Sequence, residues 1–172
     1  LPVIFSQKPW VLKLNMTATT DNPLTLIGDG ESFAEQLCGM IETTQMFDDF
    51  VRNEVEIVAK YARAYEVDKG LPVFKEGQKG SFMCLLIEGR IDIFKEDDNR
   101  ERKKITTIRP GKTMGEMSLL DDLPHSATTI ATENSTLVLI TRNNFDRLLE
   151  EHPVLAVKLM RKISRLMSLR LR

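Results

Sequence analysis

The chain has 172 residues, of which 42% are hydrophobic and 28% are charged, and its formal net charge is -1 at pH 7. This length and composition predict one folded domain with short appendages and exclude a disordered chain. A net charge so close to zero argues against a protein that binds nucleic acid through an overall basic surface. No run of about 18 apolar residues occurs, so the sequence predicts no membrane-spanning helix.

Residues 1–45 are predicted to form an arm and a helix. Three prolines interrupt residues 1–29, which we expect to be extended, and Trp10 would pack this arm onto the main body. Beyond the arm, four apolar residues recur on one helical face: Phe33, Leu37, Met40 and Ile41. A second helix is expected over Glu54–Ala64, with Asn53 as its N-cap.

From Tyr65 the apolar residues no longer recur with a helical period but alternate with polar residues, and glycines recur along the chain. Seven strands are predicted: Arg63–Asp68, Val73–Lys75, Phe82–Glu88, Arg90–Lys95, Lys104–Arg109, Ser126–Thr132 and Thr136–Thr141. Short strands separated by turns at intervals of about 8–12 residues indicate an all-β sandwich or barrel. Glu88-Gly89 joins two apolar runs as a hairpin turn would. The charged segment Lys95–Lys104 indicates a hairpin tip in water, with a docking loop as the alternative.

After the last strand the helical period returns. Asn143 or Asn144 is the expected cap of a short helix through Glu150, and Pro153 precedes a final helix over Val154–Leu171. Apolar residues recur on this final helix at steps of three and four: Leu155, Leu159, Ile163 and Leu166, with Met160 and Met167 alongside. Because such a wide apolar surface needs two surfaces to bury against, we predict packing on the barrel and pairing with a second copy. The alternative is that the barrel alone covers it.

Residues 115–128 contain the pattern from which ligand binding is predicted. Gly115 follows a predicted strand end, and Glu116–Leu120 is long enough for one helical turn. Backbone N–H groups at the start of such a turn suit an anion such as a phosphate, and glycine lets the anion approach the backbone. Glu116 would accept hydrogen bonds from sugar hydroxyls, and Ser126 would donate one to a phosphate oxygen. From the residues alone, the alternative is a strand–turn–strand connection with a capping acid.

This segment resembles the phosphate-binding cassette of the cyclic-nucleotide-binding domain family, which includes bacterial catabolite activators, kinase regulatory subunits and cyclic-nucleotide-gated channels. It contains Gly-Glu, Leu-Leu and Pro-His-Ser-Ala-Thr, where the family has Gly-Glu, Leu-Leu or Leu-Phe, and Pro-Arg followed by small residues. Flanking elements match in order and spacing: Lys69-Gly70, Glu76-Gly77, Glu88-Gly89 and Pro110-Gly111 before the cassette, and Leu137–Ile140, Phe145 and Pro153 after it. The resemblance covers about Met46–Leu171 and leaves residues 1–45 unexplained.

The resemblance implies an α+β fold, in which a β-jelly-roll (double-stranded β-helix) follows N-terminal helices and precedes a long C-terminal helix. It divides the chain into an arm and helix at 1–45, a cyclic-nucleotide-binding β-roll at 46–153, and a lid and dimerisation helix at 154–172. The implied ligand is a cyclic nucleotide, cAMP or cGMP, and no metal is expected. The implied function is a cytoplasmic regulatory sensor that signals through its C-terminal helix to an unidentified output partner.

The family's site residues carry over by position. Gly115 and the backbone of Met117 and Ser118 would face the cyclic phosphate. Glu116 would hold the ribose 2′-hydroxyl, and Ser126 would touch a phosphate oxygen.

His125 is the one departure, because it stands where the family has its phosphate-binding arginine. Arginine offers a permanently charged fork, whereas histidine is shorter and mostly neutral at pH 7. Losing such a charge-assisted contact costs about 1.5–3 kcal/mol, or roughly 10- to 100-fold in affinity. Three interpretations stay open: ligand binding is weakened or lost, the ligand has changed, or another cation such as Lys112 helps.

A catalytic role is not expected, because no nucleophile lies beside a base. Gly115–Leu119 does not fit Gly-x-Ser-x-Gly, and the two histidines, His125 and His152, have no zinc-ligand spacing around them. Cys38 and Cys84 indicate buried thiols of a reduced protein. A catabolite-activator-type regulator would continue into a helix-turn-helix, so no direct DNA binding by this chain is expected. The alternatives to a sensor are a ligand-free dimerisation module and the sensor portion of a transcription regulator or channel.

Overall fold

The computed structural model describes residues 23–172, so the expected anchor Trp10 lies outside the described residues. The strands of this part are β1 (Leu24–Asp29), β2 (Arg63–Val67), β3 (Pro72–Phe74), β4 (Phe82–Glu88), β5 (Ile91–Glu96), β6 (Arg102–Ile108), β7 (Thr113–Met114), β8 (Thr128–Ala131) and β9 (Ser135–Thr141). Its α-helices are α1 (Ala34–Ile41), α2 (Arg52–Ala59), α3 (Glu116–Leu120), α4 (Arg142–Glu151) and α5 (Pro153–Leu171). None of the helices in the described residues is long and apolar enough to cross a membrane.

The strands form two antiparallel sheets that face each other as a jelly roll. One sheet has the order β1-β2-β9-β4-β7 and the other has the order β3-β8-β5-β6. Helices α1 and α2 lie between β1 and β2 in the chain, α3 lies between β7 and β8, and α5 is the long C-terminal helix that the sequence predicts. The α+β jelly-roll fold class is therefore confirmed.

The strands β4 and β9 of the five-stranded sheet are buried on both faces, which explains their continuous apolar runs. Cys84 and Leu86 of β4 belong to the core that also contains Val73, Phe74 and Ile91 of the opposite sheet. The alternate residues Met83 and Leu85 belong to a second core that contains residues of α1, α2, α4 and α5. Side chains of a strand alternate between faces, so one apolar run supplies both cores.

The predicted bounds of the second helix are wrong at both ends. The Val51 N–H donates to the Glu54 carboxylate at 3.0 Å, so α2 begins after Val51 and Asn53 is not its cap. The helix ends at Ala59, and Ala64 lies in β2, where it pairs with Val138 of β9. Strand pairing therefore overrides the helical period at this end of the segment.

The predicted cap of α4 is also wrong. Thr141 is the N-cap, and its hydroxyl accepts a hydrogen bond from the Asn144 N–H at 3.2 Å. The Asn144 side chain instead donates to the Tyr61 carbonyl at 2.9 Å. A threonine at the end of a strand satisfies the same helix-start donor that an asparagine would.

Of the two expected hairpins, one is confirmed and one is wrong. The charged segment Lys95–Lys104 does connect the antiparallel pair β5 and β6. Glu88-Gly89, in contrast, joins strands of different sheets, because β4 pairs with β7 and β9 while β5 pairs with β6 and β8. Gly89 has a φ of 97°, and a Cβ there would lie 2.7 Å from the Asn134 carbonyl oxygen. Glycine is therefore needed where the chain passes tightly from one sheet to the other.

Candidate ligand-binding site

The cassette (residues 115–128) begins where β7 ends. Gly115 has a φ of 78°, and a Cβ there would lie 3.1 Å from the Phe82 carbonyl oxygen, so both conformation and space favour glycine. The helical turn predicted over Glu116–Leu120 is present as α3. The following strand, β8, begins at Thr128, two residues later than expected. The local geometry of the cassette thus follows the sequence prediction closely.

A cavity of about 400 Å³ opens in front of the cassette. All six residues predicted for the site line it: Gly115, Glu116, Met117, Ser118, His125 and Ser126. Other lining residues come from β5, β6, β7 and the last turn of α5: Ile93, Lys95, Ile105, Thr113 and Arg170. We call this space the binding cavity. Its size lies in the range of small-molecule sites, which is about 300–1,000 Å³.

Glu116 is held by groups on both sides of the cavity. Its side chain is only 7% exposed, and its carboxylate accepts a hydrogen bond from the Thr113 hydroxyl. The Arg170 guanidinium of α5 pairs with the same carboxylate at 2.6 Å. Arg170 also donates to the carbonyl and hydroxyl oxygens of Thr113, at 2.8 Å each. The last turn of α5 is therefore tied directly to the acid expected to hold a sugar.

His125 lies inward rather than free in the cavity. Its residue is 4% exposed, and its ring stacks on Phe74 with the centroids 3.9 Å apart and the planes at 10°. Nδ1 lies 3.0 Å from the Ser118 hydroxyl oxygen, whereas Nε2 is buried without a hydrogen-bond partner in the described part of the chain. Burial lowers the pKa of His125 from its ordinary value, which favours the neutral form of the ring.

The other predicted residues differ in how exposed their side chains are. Ser118 is buried against Gly80, where an added Cβ would lie 2.1 Å from the serine hydroxyl oxygen. Met117 is half exposed, and Ser126 is exposed at the rim of the cavity. The Ser126 carbonyl accepts a hydrogen bond from the Lys95 ammonium at 3.1 Å. Ser118 thus orients His125, while Ser126 is an exposed part of the cavity lining.

A sequence profile of the cyclic nucleotide-binding domain matches residues 65–152, which is just over half of the chain. The chain belongs to this family. It is 27% identical over 120 residues to the cyclic AMP receptor protein of Thermus thermophilus and 25% identical over 122 residues to a cAMP-dependent protein kinase regulatory subunit of Eremothecium gossypii. These matches cover 70% and 69% of this chain but only 56% and 26% of those relatives.

Solved structures agree with the sequence matches. A cyclic nucleotide-binding domain from Methylobacillus flagellatus kt superposes with a TM-score of 0.77 and is 25% identical, covering 87% of this chain and 84% of that one. The present chain therefore has the family's jelly roll across most of its described length. The chain thus has the family's regulatory binding domain.

Arg142 supports the cassette, and this role was not predicted from the sequence. Its guanidinium donates to the carbonyl oxygens of Ser118 and Asp121 and pairs with the Asp122 carboxylate. A cation at the end of a helix satisfies carbonyl groups that have no partner within the helix. Arg142 follows the cassette by more than a dozen residues and carries no motif, so no local pattern identifies it.

Thr113 and Arg170 were also missed, although one signal was available for Arg170. This residue is the basic residue in the last turn of α5, where the helix dipole stabilises a cation. Only the fold brings it to the cavity, because 54 residues separate it from Glu116. Lys112, expected as a substitute cation, does not line the binding cavity, and its ammonium donates to the Gln45 side chain at 2.6 Å.

Proposed function

We propose that this chain is a regulatory sensor, without catalytic activity, whose binding cavity takes a cyclic nucleotide such as cAMP or cGMP and whose α5 passes on the state of the cavity. The observation that carries the proposal is the ion pair between Glu116 and Arg170, 2.6 Å long, which joins the cassette to the last turn of α5. A ligand that contacts Glu116 acts on a group already bonded to α5. The Glu116 carboxylate would thus take part both in ligand binding and in the contact with α5.

The cavity residues suit the three parts of a cyclic nucleotide. The Glu116 carboxylate would accept a hydrogen bond from the ribose 2′-hydroxyl through Oε2, since Thr113 and Arg170 both contact its Oε1 atom. Gly115 and the backbone of Met117 would face the cyclic phosphate, with the Ser126 hydroxyl at the rim. The base would lie against apolar side chains of the lining: Ile93, Ile105, Met117 and Leu123.

A homodimer through α5 belongs to the same proposal and stays a prediction. Leu155, Leu159 and Ile163 are buried against the body of the same chain, so the barrel side covers much of the helix. Val154 and Val157 remain exposed, by 85% and 47%. These two valines, rather than the inner row, would meet a second copy. The output partner is not identified by these contacts.

A cytoplasmic location is also part of the proposal. Cys38 and Cys84 are both free and buried, which suits a compartment that keeps thiols reduced.

The second candidate function is a ligand-free interaction module. It is favoured by His125, which is buried, neutral and stacked on Phe74 where the family pattern has a permanent cation. In this case the fold would persist for contacts with other chains, and the binding cavity would have no physiological ligand.

Calorimetric titration with cAMP and cGMP separates the two candidates. We expect at least one of them to bind the wild type, and Glu116→Ala to weaken binding by roughly 10-fold or more, because the ribose loses a hydrogen bond to a charged group. A matched control is Glu133→Ala, an exposed acid outside the cavity, which should bind like the wild type. Absence of binding by the wild type at millimolar ligand would favour the interaction module.

A further inference from the structure

The binding cavity needs a cation for a cyclic phosphate, because His125 does not supply one. Among the described residues, three basic side chains line the cavity: Lys95, His125 and Arg170. Arg170 is committed to Glu116 and Thr113 by bonds of 2.6 to 2.8 Å, at the ribose end of the cavity. His125 is neutral, with one ring nitrogen directed at Ser118. Lys95 is therefore the cation that remains.

Lys95 belongs to the inward row of β5. Successive residues of a strand face opposite sides, so Ile91, Ile93 and Lys95 share one side. Ile91 is fully buried in the core between the sheets, and Ile93 and Lys95 line the binding cavity. A lysine in the last place of an otherwise apolar inward row puts a charged end at the mouth of the cavity.

The Lys95 ammonium is positioned beside the end of the cassette and is only loosely engaged. Nζ lies 3.1 Å from the Ser126 carbonyl oxygen and 3.8 Å from the Glu76 carboxylate. The side chain is 53% exposed, so this ion pair is weak. An ammonium has three donors, and the Ser126 carbonyl uses one of them. The remaining donors are free to turn to a better anion.

We propose that Lys95 is the phosphate-binding cation of this cavity, in place of the arginine that the family has at the position of His125. This proposal rests on the proposed function, because it assigns the phosphate of the same ligand to a residue of β5. The phosphate would replace Glu76 as the partner of Nζ, while Nζ keeps its bond to Ser126. Lys95 would then recognise the phosphate as a compact point charge rather than as a planar fork.

The test compares the affinity of cAMP for the wild type, Lys95→Gln and Lys95→Arg by calorimetric titration. We expect Lys95→Gln to bind about 10-fold more weakly and Lys95→Arg to bind within about threefold of the wild type, because the charge is retained. The matched control is Lys103→Gln. Lys103 lies directly across from Lys95 on β6, pairs with Asp97, and does not line the cavity. It should bind cAMP like the wild type.

Adenosine separates a phosphate contact from a general effect on the cavity, because it has the base and ribose of cAMP without the phosphate. Lys95→Gln should leave the affinity for adenosine almost unchanged. An equal loss for cAMP and adenosine, or unchanged cAMP affinity, would overturn the assignment while leaving the proposed function intact. Affinity for cAMP that rises strongly from pH 8 to pH 6 would assign the phosphate to His125 instead. Absence of both cAMP and cGMP binding by the wild type would refute the proposed function itself, and if only cGMP binds, the same variants are compared with cGMP and guanosine.

Discussion

At the scale of single residues, the site combines groups that one contiguous segment supplies with groups that only folding brings near. Gly115 and Glu116 are adjacent in a motif, and their backbone requirement and charge are visible in the sequence. Lys95 and Arg170 come from β5 and α5, far from the cassette in sequence, and only the fold brings them to the cavity. Local motifs were therefore predictable here, whereas the partners of those motifs required the fold.

The buried ring of His125 gives a prediction about stability and pH. Its pKa is lowered by burial in the folded chain, so between that value and the ordinary histidine pKa of about 6.5 the unfolded chain binds more protons. The free energy of unfolding should therefore fall as the pH is lowered from about 7.5 to 5.5, with a slope of at most about 1.4 kcal/mol per pH unit for one proton. The measurement is urea unfolding across this range.

The matched comparison is His125→Gln, which keeps a polar side chain that does not titrate. In this variant, the dependence of the free energy of unfolding on pH should lack the contribution of His125. The pKa values of Asp49, Glu54 and Asp92 are also lowered, but these carboxyls titrate at lower pH and are present in both proteins. Identical slopes for the wild type and His125→Gln would contradict the placement of a neutral, buried imidazole.

At the scale of elements, α5 has two contacts with different roles. Its inner row, Leu155, Leu159 and Ile163, packs into the core beside α1 and α2. Its last turn supplies Arg170 to the binding cavity. Apolar periodicity predicted the first contact, because burial of one helix face leaves a repeating pattern. The second contact depends on a single polar residue and leaves no pattern.

The ion pair at the end of α5 should matter for ligand binding. We expect Arg170→Gln to weaken cAMP binding by about 10-fold, because Glu116 loses the group that orients it and the cavity loses one wall. Arg165→Gln is the matched control, since Arg165 lies on the same helix and does not line the binding cavity. The same titration measures both variants. Equal affinities for Arg170→Gln and the wild type would show that α5 does not take part in the site.

At the scale of the whole molecule, sequence periodicity predicted the elements better than their arrangement. The apolar runs of β4 and β9 identified both strands, yet Glu88-Gly89 did not reveal that the chain crosses between sheets there. A glycine turn within a hairpin and one between sheets have similar composition. The difference lies in close approach to Asn134, a residue distant in sequence, so it follows from tertiary packing.

Dimerisation through α5 can be tested on its exposed valines. Light scattering of the wild type at tens of micromolar should give the mass of a dimer, and Val157→Glu should give that of a monomer, because a charge would lie in the interface. Val157 is a better target than buried Ile163, whose substitution by glutamate would disrupt the core. An exposed control away from α5 is Asn99→Glu, on the connection between β5 and β6, which should leave the dimer intact. A monomeric wild type would contradict the dimer.

The proposed function requires that the binding cavity and α5 form one switch. Hydrogen exchange of the backbone amides, with and without saturating cAMP, tests it most directly. Bound ribose at Glu116 would reinforce the contact with Arg170, so amides in the last two turns of α5 should exchange more slowly, while those of β6 far from the cavity, near Arg102, should not change. Bound cAMP that leaves exchange in α5 unchanged would contradict the claim.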